Sequence, residues 1–274
     1  MRLIQLSDTH VSARHRMFEP NIEATAAWLR ENAPELIVHT GDMAMDGAGD
    51  VADMEAAAAW HARLGAQIRA VPGNHDVGDT AAIKPTQVVN DERLATWRSR
   101  IGPDYWAEDR GGWRLIGLDA MLLGTGHAEE ERQFAWLAEA IATPAPVAVF
   151  LHKPLYVDHA GEGPRGYWTV TPAPRRRLLD LFATARVRLI ASGHLHIFRD
   201  VVIDGIRHVW GPSAAFVCGD SQEQELGGSR QLGLVEHVFG ADDVTSRFIR
   251  PEDLTDHTIE PHSETLYPRP KVTA

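Results

Sequence analysis

Asp8 and His10, one residue apart, open a series of polar side chains whose types suit metal ions. Asp42 follows Gly41, Asn74-His75-Asp76 follows Gly73, His152 stands by itself, and His194 and His196 flank Leu195 behind Gly193. With His75 left over, these positions offer two carboxylates, an amide oxygen and four imidazoles, a donor set that suits two divalent ions sharing a carboxylate. Two ions about 3.5–4 Å apart lower the pKa of a bridging water, orient it for attack and neutralise charge that develops in the transition state. The predicted chemistry is metal-assisted hydrolysis without a protein nucleophile. Ser7 and Ser192 flank ligand positions, but no Ser-His-Asp arrangement can be argued from them, and they read as packing residues.

Local spacing predicts how the donors are aimed. Side chains two apart on an extended segment point the same way, so Asp8 and His10 are expected to reach one ion. His194 and His196 alternate likewise across Leu195, serving different ions or different faces of one centre. Gly41 lets the backbone turn tightly before Asp42 and leaves that carboxylate free to bridge.

Such donors need a frame, and the apolar pattern supplies one. Residues 3–6, 35–38, 68–71, 147–151 and 187–191 are short apolar runs, each followed at once by a motif, so the ligands are predicted at strand ends. Helices are predicted over 21–32, 50–64, 129–141 and 174–185. The alternation implies mostly parallel strands covered by helices, a class that binds ligands beyond the carboxyl ends of its strands. After His196 the runs 198–203, 206–210, 231–239 and 244–249, with turns at 204–205 and 240–243, predict successive strands forming a separate antiparallel sheet.

The 274 residues, 44% of them apolar, can bury one large core, and no low-complexity stretch marks a linker. We read a catalytic domain over 1–250 and a C-terminal extension over 251–274. Cys218, the single cysteine, cannot form an intramolecular disulfide. The N-terminal residues run directly into the first strand and motif, leaving no room for a signal peptide, and no apolar run is long enough to span a bilayer. A cytoplasmic, membrane-free protein is expected, with homo-oligomerisation left open. The net charge of −11 argues against a broad polyanion-binding surface, so a small anionic substrate is favoured and nucleic acid disfavoured.

The ordered motifs resemble those of the calcineurin-like metallophosphoesterase superfamily from Asp8 through His196. The resemblance implies a four-layer α/β/β/α sandwich with two mixed sheets and a binuclear centre at strand ends. It implies that Asp8, His10, Asp42 and His196 hold one ion, and Asp42, Asn74, His152 and His194 the other. The ions would be divalent or mixed-valence iron, manganese, zinc or cobalt. It further gives His75 a catalytic role, contacting a phosphate oxygen or protonating the leaving alkoxide, with Asp76 orienting its ring. His39 reads as a core histidine.

Markers within the superfamily narrow the expectation. Gly41-Asp42-Met43-Ala44-Met45 lacks the tyrosine of purple acid phosphatases and the arginine of protein Ser/Thr phosphatases, and Gly73-Asn74-His75-Asp76 keeps the histidine that lipid-A pathway pyrophosphatases replace. The motifs and Gly211-Pro212-Ser213 resemble class III cyclic nucleotide phosphodiesterases and glycerophosphodiesterases, although Ala214-Ala215-Phe216 is less polar than a typical cyclic-AMP enzyme at that place. The expected activity is hydrolysis of small phosphodiesters, 3′,5′-cyclic nucleotides first, then glycerophosphodiesters or cyclic sugar phosphates. A nuclease and a non-catalytic scaffold are the weaker alternatives. Arg14 and Arg16 after the first motif, and Arg165 and Trp168 in the loop 161–168, are the candidate substrate-binding residues, with Tyr167 beside them.

Overall fold

A computed structural model of the chain describes residues 1–219 and 226–266. Two mixed sheets face each other. The first has the order β11 (Val244–Ile249), β10 (Leu234–Phe239), β1 (Arg2–Leu6), β2 (Ile37–His39), β3 (Ile68–Ala70). The second runs β4 (Trp106–Arg110), β5 (Trp113–Leu118), β6 (Pro146–Leu151), β7 (Arg186–Ser192), β9 (Ile206–Trp210), β8 (Arg199–Ile203). Strands β1, β2 and β3 are parallel to one another, as are β5, β6, β7 and β9.

The period of two along each strand sorts side chains into layers. Leu3, Val38, Leu115, Phe150, Leu189, Val209 and Val235 meet in an apolar layer between the sheets. Their chain neighbours Ile4, Ile37, Ile116, Val149 and Ile190 face outward into a second apolar cluster with helical side chains. The helices α1 (Glu19–Asn32) and α2 (Val51–Ala62) link the strands of the first sheet; α5 (Ala128–Ala140) and α6 (Pro172–Phe182) link those of the second. Ile22, Ala26 and Leu29 of α1, Met54 and Ala57 of α2, Phe134 and Leu137 of α5, and Leu178 and Phe182 of α6 supply the buried stripes. This is the α/β/β/α arrangement, with the central strands of both sheets buried on both faces.

The late strands correct the expectation of a separate sheet. The hairpin β8–β9 extends the second sheet by pairing β9 parallel to β7, whereas β10–β11 joins the first by pairing β10 antiparallel to β1. A central strand with two buried faces must satisfy ladder donors on both edges, and β1 and β7 each recruit a late strand to do so. Strands β4 and β5 and the polar helix α4 (Asp91–Arg100) lie in a stretch to which the sequence reading assigned no element. Residues 251–266 lie against the body, with Thr255 N donating to Asn21 Oδ1 and Leu254 packing with Val217 and Leu232; of the extension, residues 267–274 lie outside the described residues. Among the described residues, no helix is long and apolar enough to cross a membrane.

Three buried histidines outside the donor groups make stability pH-dependent. Burial pushes the imidazoles of His61 and His208 down to about 4 and that of His237 to about 3. Their ring nitrogens meet Ala57 O, Tyr156 Oη, and Ser246 Oγ with Gln5 Oε1, respectively. Between these values and the ordinary pKa of about 6.5, only the unfolded chain takes up the protons, so stability is retained above that range and falls as the pH drops through it. Each histidine contributes a limiting slope of about 1.4 kcal/mol per pH unit, about 4 kcal/mol for the three. Denaturant midpoints should fall steeply from pH 6.5 to 4.5, and His237→Asn should make the slope shallower by one proton. A midpoint flat across that interval would refute the prediction.

Candidate metal centre

All five motifs lie just past the carboxyl ends of parallel strands: Asp8 and His10 after β1, Asp42 after β2, Asn74 opening the short helix α3 (Asn74–Val77) after β3, His152 after β6, and His194 and His196 after β7. The backbone there differs from the extended segments expected. Asp8, His10, Asp42, His194 and His196 have φ of 52°, 44°, 55°, 71° and 56°. Left-handed backbone at a residue with a Cβ costs of order 1–3 kcal/mol and persists where the surroundings enforce it. Turns therefore bring Asp8 towards His10 and send His194 and His196 to opposite halves of the site; strand alternation does not. Gly41, with φ 95°, makes the predicted turn, and a Cβ on it would lie 2.6 Å from His152 Nδ1. Gly73 admits the Asp42 carboxylate at a point where a Cβ would collide with it.

The seven candidate donors converge in two overlapping groups. In one, His196 Nε2 lies 3.2 Å from both Asp8 Oδ1 and His10 Nε2, and His10 Nε2 lies 3.8 Å from Asp42 Oδ2. In the other, His152 Nε2 lies 3.3 Å from the same Asp42 Oδ2, 3.2 Å from Asn74 Oδ1 and 3.1 Å from His194 Nδ1. Donors held about 2.0–2.2 Å from one ion stand roughly 3–3.5 Å apart. These contacts of the second group have that spacing, while in the first His10 stands 3.8 Å from Asp42 and 3.9 Å from Asp8. Asp42 Oδ2 belongs to both, while its Oδ1 accepts from the backbone N–H of His75 at 2.8 Å. Asp8 Oδ1, fully buried, has no hydrogen-bond partner among the described residues. An ion in each group would supply what these atoms lack, so the residues fit a two-ion centre.

Backbone carbonyls set the histidine tautomers. His152 Nδ1 donates to Thr40 O at 2.7 Å, His196 Nδ1 to Phe216 O at 2.7 Å and His194 Nε2 to Tyr167 O at 2.8 Å. A carbonyl can only accept, so the proton sits on those nitrogens and the lone pairs of His152 Nε2, His196 Nε2 and His194 Nδ1 turn inward. Ser7 Oγ and His194 N both donate to Asp8 Oδ2, and Ser213 Oγ donates to Asp8 O at 2.8 Å, which gives Ser7 and the Gly-Pro-Ser motif supporting roles.

The electrostatics point the same way. Burial opposes charge on His152, yet the Asp42 carboxylate, backed by Asp8, pushes its imidazole up to about 9. His196 is likewise raised against burial by Cys218 and Asp8, and burial together with neighbouring rings lowers His10 and His194. Asp42 is held well below the carboxylate range by His152, His75 and His10, against the penalty of burial. Two buried carboxylates with no arginine or lysine bonded to them among the described residues draw positive charge into the site, which bound cations would provide.

His75 joins this cluster: its Nε2 lies 4.0 Å from Asp42 Oδ2 and its ring meets His10 edge-on at 4.8 Å. Its orientation corrects one expectation. His75 Nδ1 donates to Met45 O at 2.7 Å, so Asp76 does not hold the ring. The Asp76 carboxylate instead accepts from the backbone N–H groups of Met43, Ala44 and Gly73, clamping the two loops that carry Asp42 and Asn74. The substrate-binding candidates have partners of their own. Arg14 pairs with Asp50 at 2.6 Å, Arg16 with Glu19 at 2.9 Å, and Arg165 lies 3.8 Å from both Asp158 and Glu162. Trp168 packs on Val157, Leu195, Ile197, Trp210 and Leu226. The neighbour Tyr167 takes the place over the centre, with its ring centroid 4.5 Å from that of His194 and its hydroxyl 3.1 Å from Asn74 Nδ2. Phe216 walls the other half at 4.7 Å from both His10 and His196, a contact its apolar type did not announce.

Fold and donor geometry together agree with the chain's sequence matches: it belongs to the calcineurin-like phosphoesterase family, whose model matches residues 1–198. It is 29% identical over 134 residues to the human serine/threonine-protein phosphatase CPPED1, a match covering 46% of this chain and 40% of that protein. It is 31% identical over 234 residues to a cAMP/cGMP dual specificity phosphodiesterase of Mycobacterium tuberculosis, covering 74% of this chain and 64% of that protein. The chain thus spans less than two thirds of the length of either relative. A dimetal phosphatase from Danio rerio shares the fold, with a TM-score of 0.61 at 14% identity over 90% of this chain and 95% of that one.

Proposed function

We propose that the chain is a binuclear metal-dependent phosphodiesterase for small, singly charged phosphodiesters, with 3′,5′-cyclic nucleotides the leading candidates. The observation that carries the two-ion reading is the position of Asp42 Oδ2, shared between the group of Asp8, His10 and His196 and the group of Asn74, His152 and His194. When bound, two such ions supply an acidified water and neutralise charge on phosphoryl oxygens. Thr40, Phe216 and Tyr167 carbonyls keep the imidazole lone pairs turned inward, and Ser7 fixes the Asp8 carboxylate. His75 Nε2, at the edge of the cluster, is placed to meet an ester oxygen.

The preference for diesters follows from where the basic side chains go. Arg14, Arg16 and Arg165 face carboxylates, and Lys153 donates to Asp79 at 2.7 Å, so these four cations are already matched by acids, and Lys84 is the further cation that acts on His75. A dianionic monoester or a tracked nucleic-acid strand gains little from such a surface, whereas a monoanionic diester needs only the ions. A dianion would also chelate both ions in the ground state, and ground-state binding does not accelerate chemistry. The longer match to the cyclic nucleotide phosphodiesterase supports this reading. The match to CPPED1, named as a protein phosphatase, favours monoester hydrolysis as the second.

Metal-reconstituted protein should show a higher kcat/KM on bis(p-nitrophenyl) phosphate and 3′,5′-cyclic AMP than on p-nitrophenyl phosphate. Preference for p-nitrophenyl phosphate or a phosphoserine peptide would transfer the assignment to the second reading, and preference for single-stranded DNA would make the chain a nuclease.

A further inference from the structure

Tyr167 touches two candidate ligands of the same ion by different groups. Its backbone carbonyl takes the His194 Nε2 proton at 2.8 Å, leaving Nδ1 to face His152, and its phenol oxygen accepts from Asn74 Nδ2 at 3.1 Å. An amide has one acceptor end and one donor end, so anchoring Nδ2 on the phenol turns Asn74 Oδ1 towards His152 Nε2, 3.2 Å away. The loop that carries Tyr167 is itself pinned. Glu162 accepts from the backbone N–H of Val157 and Asp158, and Arg175 donates to the carbonyl of Glu162. Lys153, next to ligand candidate His152, sits 5.4 Å from the Tyr167 ring centroid and is fixed by the buried Asp79. Neither contact involves the half of the site built from Asp8, His10 and His196.

We propose that Tyr167 is a positioning residue that selectively sets the affinity of the ion held by Asp42, Asn74, His152 and His194. The inference rests on the two-ion reading above. The phenol oxygen fixes which end of the Asn74 amide faces the ion, and groups that orient a ligand in this way commonly account for 10–100-fold in metal affinity. The other group, in which Phe216 O fixes His196, makes no contact with the phenol among the described residues, so its ion is expected to be indifferent to it.

The test is a two-site titration of the full chain with Mn²⁺ by calorimetry, together with the electron paramagnetic resonance signal of exchange-coupled Mn²⁺ pairs. Tyr167→Phe keeps the ring and the backbone carbonyl but removes the phenol oxygen. It should weaken one of the two dissociation constants roughly 10–100-fold, leave the other unchanged, and lose the coupled signal at Mn²⁺ concentrations that fill both sites in the parent. In an Asn74→Ala background the same substitution should change nothing further, because the amide it acts through is gone. Two unchanged constants, two constants weakened together, or an undiminished effect in the Asn74→Ala background would each overturn the proposal. A parent chain that takes up fewer than two Mn²⁺ ions would sink the two-ion reading itself, an outcome separate from any effect of Tyr167.

Discussion

Asp42→Ala should abolish turnover and lower the content of both ions together. One oxygen, Oδ2, faces both donor groups at 3.3 Å from His152 Nε2 and 3.8 Å from His10 Nε2, and among the donors it alone belongs to both. Removing it strips each ion of a ligand and of half the carboxylate charge in the site. The affinity loss should exceed the roughly 10–100-fold typical of residues that only support ligands. The alanine also deletes the acceptor of His75 N–H, so Asp42→Asn is the companion variant. The amide preserves volume and can keep that hydrogen bond while lacking the charge. Metal per chain measured beside turnover decides the matter: loss of one ion with retention of the other contradicts the bridge, and full loading of Asp42→Asn contradicts the need for its charge.

His75→Ala carries the second large effect, a loss of about 10²–10⁴-fold in turnover on esters with poor leaving groups if the imidazole supplies a proton to the departing oxygen. With Nδ1 donating to Met45 O, only Nε2 can do this, and only from the imidazolium, a form that burial disfavours and the Asp42 carboxylate 4.0 Å away favours. Activated aryl esters, whose leaving groups need no proton, should lose far less. An equal loss on both classes would make His75 a binding or packing group. A fall in bound metal would make it a ligand, since His10, Asp42 and His75 also stand close enough to share an ion.

The donors were legible because each motif abuts an apolar run, and β1, β2, β3, β6 and β7 end within one residue of where those runs end. What the sequence could not convey lies in partners and backbone angles. The assignment of β10 to β1 is a pairing of residues such as Arg2 with Val238, across almost the entire chain, and nothing local distinguishes it from pairing within a late sheet. Strand β4 reads Trp-Ala-Glu-Asp-Arg, too charged to stand out, because it is an edge strand with solvent on one side. Tyr167 and Trp168 differ by one position in a tight turn, and only the turn decides which ring meets His194. Asp76 looked like a partner for the adjacent His75, yet three backbone N–H groups claim it. Arg14 looked available because its acidic partner Asp50 lies in a different loop, whereas Arg16 and Arg165 each had an acid three residues away.

The left-handed backbone at Asp8, His10, Asp42, His194 and His196 bears on which ions the protein uses. A cage whose shape is held by hydrogen bonds and close packing does not remodel itself around each newcomer. Iron, manganese, zinc and cobalt differ in the coordination numbers and angles they prefer, and here the ion must conform to the protein rather than the reverse. Exchanging one for another should therefore alter catalytic rate and affinity while the loops stay where they are. If such a centre accepts more than one of these metals, supply would decide which ion fills it, and activity would follow supply without any change in the chain.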